Sequence, residues 1–272
     1  MCDISEYHLQ NNLIIEIDEY NNKHIYNNIN GKKNGQYTVY YKDTDIIIKS
    51  CNYINDNLDG AYEQWYKNGQ ICEKCKYING ELDGIHERWY KNGQLESRWN
   101  YLNGKHVGMN ESFHDNGQIQ YRMNYIDCSP EGICEEWNYN GQLTRKYIYM
   151  NSTKYKNCEA WYNNGQLQWK STRIREIDIG LCEYWYENGK LYERFTKNNY
   201  GLHGLYETWY DNGQIWCRRT YVNNQLEGLY EEWYNDGTLK LSYIYEKGKH
   251  IETLSSTKLP HNNPTPTTSH KN

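Results

Sequence analysis

Gly84-Ile-His-Glu-Arg-Trp-Tyr-Lys-Asn-Gly-Gln-Leu95 and Gly204-Leu-Tyr-Glu-Thr-Trp-Tyr-Asp-Asn-Gly-Gln-Ile215 are two copies of one phrase. Its Asn-Gly core returns at Asn68-Gly69, Asn92-Gly93, Asn116-Gly117, Asn140-Gly141, Asn164-Gly165, Asn188-Gly189 and Asn212-Gly213, then as Asp236-Gly237, always 24 residues apart. A repeat of this length cannot bury its own apolar face and has to stack on its neighbours. Aromatic runs around Asn-Gly are the strongest short-range hairpin signal, because a two-residue turn places both residues at positive φ. Each unit therefore reads as two strands, with a second turn joining units at Asn79-Gly80, Asn103-Gly104 and Gly248, and less regularly at Cys128-Ser129-Pro130, Ser152-Thr153 and Ile177-Asp178.

Charge sets the expected register. A two-residue turn at Asn68-Gly69 puts Glu63 opposite Lys74, and the same offset joins Glu87 to Arg98, Glu111 to Arg122, Glu135 to Lys146, Glu159 to Lys170, Glu183 to Arg194 and Glu207 to Arg218. It fails only at Glu231 and Ser242. Opposite charges across an antiparallel pair contribute roughly 0.2–1 kcal/mol each, which favours this register over a one-residue slip. A three-residue loop with a bulge at the glycine is the alternative, and on this reading would break the pairing. In the two-residue register one face carries Tyr66, Tyr90, Tyr162, Tyr186, Tyr210 and Tyr234 opposite an Ile/Leu column from Ile71 to Leu239, with the Tyr77 column over the repeat-opening glycines. The other face carries Trp65 and its counterparts beside the charges. The first face is expected to be the drier.

The fold class expected is all-β: an elongated single-layer antiparallel array of about nine 24-residue hairpins. Residues 1–34 form an N-terminal cap hairpin from Leu13 to Ile17 and Lys23 to Ile29, residues 35–252 the array, and residues 253–272 a disordered tail of Ser, Thr, Pro, Asn and His. Thirty Tyr and ten Trp against two Phe describe a thin core of amphipathic rings. A net charge of −5 offers no general attraction to phosphate backbones, so nucleic acid is not an expected partner. No apolar stretch approaches the roughly 18 residues of a membrane span. The start lacks a secretory pattern, so an intracellular, cytoplasmic protein with its nine cysteines reduced is expected.

The phrase Gly-x-Tyr-Glu-x-Trp-Tyr-x-Asn-Gly-Gln-Leu, followed by Tyr-x-Asn-Gly-x-Leu-x-Gly as in Tyr77 to Gly84, resembles the MORN-repeat family, in particular the variant repeats of antitoxin-like proteins and of large DNA viruses. The resemblance covers about residues 28 to 250. It implies successive hairpins, no enzymatic activity, and a role in protein association or, in some members, membrane attachment. Lys156 in place of the opening Gly, His114 and Asn138 in place of Tyr, and Arg173 and Lys197 in place of the second Tyr depart from it.

Candidate chemistry is sparse. Cys72-x-x-Cys75 has the spacing of half a zinc site, but residues three apart on a strand face opposite ways. Cys134, Cys158 and Cys182 share one repeat position, spaced too far apart for disulfides, and read as small buried thiols. The Glu column recurs in every copy with a basic partner, whereas an active site breaks repeat symmetry. No catalytic residue, metal, cofactor or small-molecule substrate is expected. The leading expectation is a non-catalytic scaffold that binds a protein, or itself, through an aromatic face carrying Tyr66, Tyr90, Tyr162, Tyr186, Tyr210 and Tyr234. Peripheral membrane or lipid binding, and inhibition of a toxin by an antitoxin-like mode, are the alternatives.

Overall fold

Asn-Gly turns and alternating aromatics yield strands throughout the computed structural model, which describes residues 12–42, 44–150, 153–154, 158–174 and 177–256. Every element from Leu13–Ile17 to Lys249–Ser256 is a β-strand. Two compact units divide the described strands. The first runs from Leu13–Ile17 to Cys158–Trp161; the second holds most of Leu167–Ile174 and continues from Ile177–Trp185 to Lys249–Ser256. Within each unit the pairings join successive antiparallel strands in one layer.

The Asn-Gly turns take the three-residue form. Gly69 N–H donates to the Tyr66 carbonyl at 2.9 Å, and Tyr66 N–H to the Gln70 carbonyl at 2.8 Å. Gly69 has φ +83°, whereas Asn68 is absent from the residues of positive φ. This is a tight turn closed by a glycine bulge. It pairs Trp65 with Ile71, and a second irregularity between Gln64 and Trp65 then restores Gln64 to Glu73 and Glu63 to Lys74. The expected charge register is present, reached through two compensating bulges. The same shift recurs from Trp89 with Leu95 to Trp233 with Leu239.

The double bulge corrects the expected face assignment. One bulge reverses the facing of a side chain, so the Ile/Leu column lies opposite the Trp column and not opposite the Tyr66 column. Two-residue turns with positive φ at both positions occur at the opposite end of the hairpins, at Asn79-Gly80, Asn103-Gly104, Asp127-Cys128 and Asn223-Asn224. Ile177 and Asp178, expected in a turn, begin the strand Ile177–Trp185, and Thr153 begins Thr153–Lys154; Ser152 lies outside the described residues.

The cap hairpin pairs Leu13 with Asn27 through Ile17 with Lys23. Tyr26, Tyr37, Val39 and Cys51 form a buried cluster behind it. The expected boundary at 34–35 falls inside the strand Lys32–Tyr40, which bends where Asn27 pairs with Asn34 after Tyr26 pairs with Tyr37. At the other end the strand Lys249–Ser256 passes the boundary expected at 252: Tyr243 pairs with Thr253 and Leu241 with Ser256. Ladder hydrogen bonds order those residues despite their polar composition. Residues 257–272 of the expected tail lie outside the described residues.

The buried face carries Tyr62 and Cys75 as one cross-strand pair and Gly60 beneath Tyr77 as the next. Tyr62 and Tyr77 meet edge to face at 5.8 Å, and Tyr206 and Tyr221 repeat the contact at 5.9 Å. Rings lying across small residues thus supply the core a single sheet otherwise lacks. Bulk trades places along this row: Tyr62 opposes Cys75, Cys134 opposes Tyr147, and Cys182 opposes Phe195. Cys134, Cys158 and Cys182 are 0–2 % exposed and form no disulfide, as their column predicts.

A candidate interaction surface on the open face

On the opposite face three rows run across the strands. Nearest the Asn-Gly turns is the Trp row, paired with Ile71, Leu95, Ile119, Leu143, Leu191, Ile215 and Leu239. The next row alternates in charge. Within hairpins Glu63 meets Lys74 at 2.9 Å, Glu87 meets Arg98 at 2.8 Å, Glu111 meets Arg122 at 2.9 Å, Glu183 meets Arg194 at 2.9 Å and Glu207 meets Arg218 at 3.0 Å. Between hairpins Lys74 is opposite Glu87, Arg98 opposite Glu111, Arg122 opposite Glu135 and Arg194 opposite Glu207. Each of these charges is therefore flanked by its opposite. The guanidinium groups of Arg122, Arg194 and Arg218 also cover Trp137, Trp209 and Trp233 at 5.6–5.9 Å.

Beyond the charges lies an aliphatic band. The residue after each opening glycine shares the face of the Glu two positions later. In the first unit these residues are Ile85, Met109 and Ile133, and in the second Leu181, Leu205 and Leu229; all are 40–53 % exposed. Ile78, Leu102, Ile126 and Met150, with Val222 in the second unit, extend the band on the paired strands. Ala61 occupies the same position in an earlier repeat and leaves a depression of about 540 Å³ bordered by Lys74, Lys76, Ile85 and Glu87. Among the described residues no group of His, Cys, Asp or Glu side chains is placed to hold a metal ion.

The six candidate tyrosines are half-buried at the turns. Tyr66 donates to the Trp89 carbonyl at 2.7 Å, Tyr90 to Phe113 at 2.8 Å, Tyr186 to Trp209 at 2.8 Å and Tyr210 to Trp233 at 2.9 Å. Each spans to the next repeat. His114, which departs from the Tyr pattern, keeps the link through Nε2 to the Trp137 carbonyl at 3.1 Å. Burial raises the phenols of Tyr66, Tyr90 and Tyr186 above their ordinary range. Tyr162 is half-buried like the others, and the Lys240 ammonium lies 6.0 Å from the Tyr234 ring. The exposed aliphatic band was not singled out from sequence, although the apolar residue after the opening glycine, from Ala61 and Ile85 to Leu205 and Leu229, was its available signal.

Residues 58–79, 82–103, 107–127, 179–198 and 202–223 each match the family model described as MORN repeat variant. Three of these segments lie in the first unit and two in the second. No curated protein matches the chain.

Proposed function

The chain is a MORN-variant repeat protein, and from that premise we propose that it is a non-catalytic scaffold which associates with protein through the open face of its sheet. The observation that carries this reading is the aliphatic band. Repeat after repeat keeps Ile, Met or Leu at a position 40–53 % exposed to water, although burying such a side chain contributes roughly 1.5–3 kcal/mol. Apolar side chains exposed at a regular interval, interspersed with Asn100, Asn124 and Thr220 on the paired strands, mark interaction sites. The Trp row and its covering arginines supply the aromatic part of the same face. A non-catalytic role is supported by the carboxylates: they recur with the repeat, and Glu63, Glu87, Glu111, Glu183 and Glu207 are each ion-paired with a Lys or Arg.

The test uses the full chain and two sets of substitutions. Ile133→Gln with Leu205→Gln alters the open face at exposed positions, while Tyr186→Phe with Tyr210→Phe removes only the inter-repeat hydroxyls. Affinity capture followed by quantitative mass spectrometry should lose its specific proteins at least tenfold with the glutamine pair, with unchanged circular dichroism. The phenylalanine pair should retain them at lower stability. Undiminished capture by the glutamine pair, or loss confined to the phenylalanine pair, rejects the open face.

A further inference from the structure

We infer that His106 and Asn110 form a proton-sensitive latch, which joins two neighbouring hairpins of the first unit while the imidazole is neutral and releases them in acid.

The latch sits at a gap in the sheet. The strand Leu95–Leu102 pairs with the next hairpin in two short pieces: His106 faces Tyr101, and pairing resumes only where Glu111 faces Arg98. Between them the Val107 N–H reaches the Asn100 carbonyl at 2.9 Å. The Asn100 N–H finds a side chain instead, the Asn110 Oδ1 at 2.8 Å. That backbone donor fixes which way the Asn110 amide points, because only the oxygen can accept. The amide nitrogen is thereby aimed at the His106 Nδ1, 2.9 Å away, and Nδ1 has to present a lone pair. The neutral tautomer with its proton on Nε2 is the form that fits.

Protonation removes the acceptor. An imidazolium donates from both nitrogens, so neither orientation of the ring serves the Asn110 amide, and turning the amide over moves the conflict to the Asn100 N–H. Asn110 is 3 % exposed, so water reaches the orphaned amide only when the strands part.

The surroundings also work against the charge. The rings of Trp99, Tyr101 and Tyr125 lie 4.4–5.5 Å from the imidazole. The titratable groups packed about it are His86 on Gly84–Trp89, Tyr101 on Leu95–Leu102, Tyr125 on Ile119–Ile126, and Cys128, whose sulfur accepts the His106 N–H at 3.3 Å. The carboxylates beyond them are already engaged, Glu73 by His86 at 2.7 Å and Asp127 by Lys105 at 2.6 Å. Burial and the charge of His86 hold the His106 imidazole below its ordinary range. A base lowered in this way contributes stability above its unfolded pKa of about 6.5, and that stability is lost as pH falls below it. The pair breaks the repeat: Leu58, Leu82, Leu202 and Leu226 stand where His106 does, and Tyr62, Tyr206 and Tyr230 where Asn110 does. The response is therefore confined to this one junction.

Nuclear magnetic resonance of the full chain tests the inference through the His106 ring titration and through hydrogen exchange at the Asn100 N–H, normalised for the intrinsic effect of pH. Between about pH 7.5 and 5 the wild-type Asn100 protection should fall at least about twofold, with His106 taking up its proton below the ordinary value of about 6.5. In His106→Leu, which installs the side chain of the other repeats, protection should be lower but level across that range. Asn110→Asp should reverse the trend, since a carboxylate accepts from the Asn100 N–H and from an imidazolium alike. A His106 ring that titrates at or above its ordinary value overturns the latch, as does a fall in Asn100 protection that persists in His106→Leu. An Asn110→Asp chain that keeps the wild-type trend overturns it too. Should neither variant fold, the two wild-type measurements decide: ordinary titration or level protection rejects the latch.

Discussion

Asparagine serves both sides of the turn at once. The Asn92 side-chain oxygen accepts the Gln94 N–H at 3.0 Å while its amide donates to the Asp115 carbonyl in the next repeat. Asn116, Asn188 and Asn212 repeat the arrangement with Tyr139, Asp211 and Asn235. Asp236 has no amide to donate, and it instead accepts from the N–H and hydroxyl of Thr238. The Asn-Gly pair was legible as a turn, but its class was not. The dipeptide suits both the two-residue turn and the glycine-bulge loop, and local chemistry does not reveal the compensating bulge. At the other end of the hairpins Cys128 sits at φ +65°, at the turn position that Gly80, Gly104 and Asn224 fill in other repeats. A non-glycine residue there carries roughly 1–2 kcal/mol of strain, and glycine costs about 0.5–1 kcal/mol in chain entropy. Cys128→Gly is therefore expected to stabilise the protein by about 0.5–1 kcal/mol in urea denaturation. A loss would mean that the contact of the His106 N–H with the Cys128 sulfur at 3.3 Å outweighs the strain.

At the level of the hairpin, the charge row is the feature most legible in sequence, because Glu and Lys/Arg recur at a fixed offset. The assignment of Ile71 to a face was not, since it depends on one extra residue in the strand. The buried row was partly legible. The Cys column stood out, but its meaning lies in the partner strand, where Tyr147 and Phe195 oppose Cys134 and Cys182. Tyr62 and Cys75 reverse that order, and Cys75 is 5 % exposed. Volume is thus shared between strands rather than fixed at one position. Tyr62→Cys alone should cost about 3 kcal/mol through the cavity it leaves, by analogy with large-to-small aromatic truncations. Cys75→Tyr alone should cost about 1–3 kcal/mol through overpacking. The double exchange should recover at least about 1 kcal/mol relative to their sum, as a double-mutant cycle in urea reads directly. Strict additivity would show that the two sites do not share space.

Over the whole chain, each unit keeps a single layer dry with tyrosine, whose ring covers backbone while its hydroxyl finds a polar partner. That choice carries a pH dependence. Burial pushes the phenols of Tyr37 and Tyr77 up to about 12, and Tyr62, Tyr206 and Tyr230 rise with them. The Cys75 thiol is likewise pushed up to about 12 by burial and by the nearby Glu73 carboxylate. An acid whose folded pKa lies above its unfolded value is held neutral by the fold. Its stabilising contribution is complete below the unfolded tyrosine pKa of about 10 and is lost as pH rises towards 12. Urea midpoints should accordingly be level from pH 7 to about 8, begin to fall as the unfolded thiol pKa of about 8.5 is passed, and fall most steeply between pH 10 and 12, where the tyrosines add to the loss. Tyrosinate absorbance of the buried rings should then appear together with the loss of strand circular dichroism, because one ring cannot ionise without exposing the row beneath it. Ionisation of nearly all thirty tyrosines near pH 10 with the sheet intact would place these rings in water and sink the ring-over-backbone account of the core.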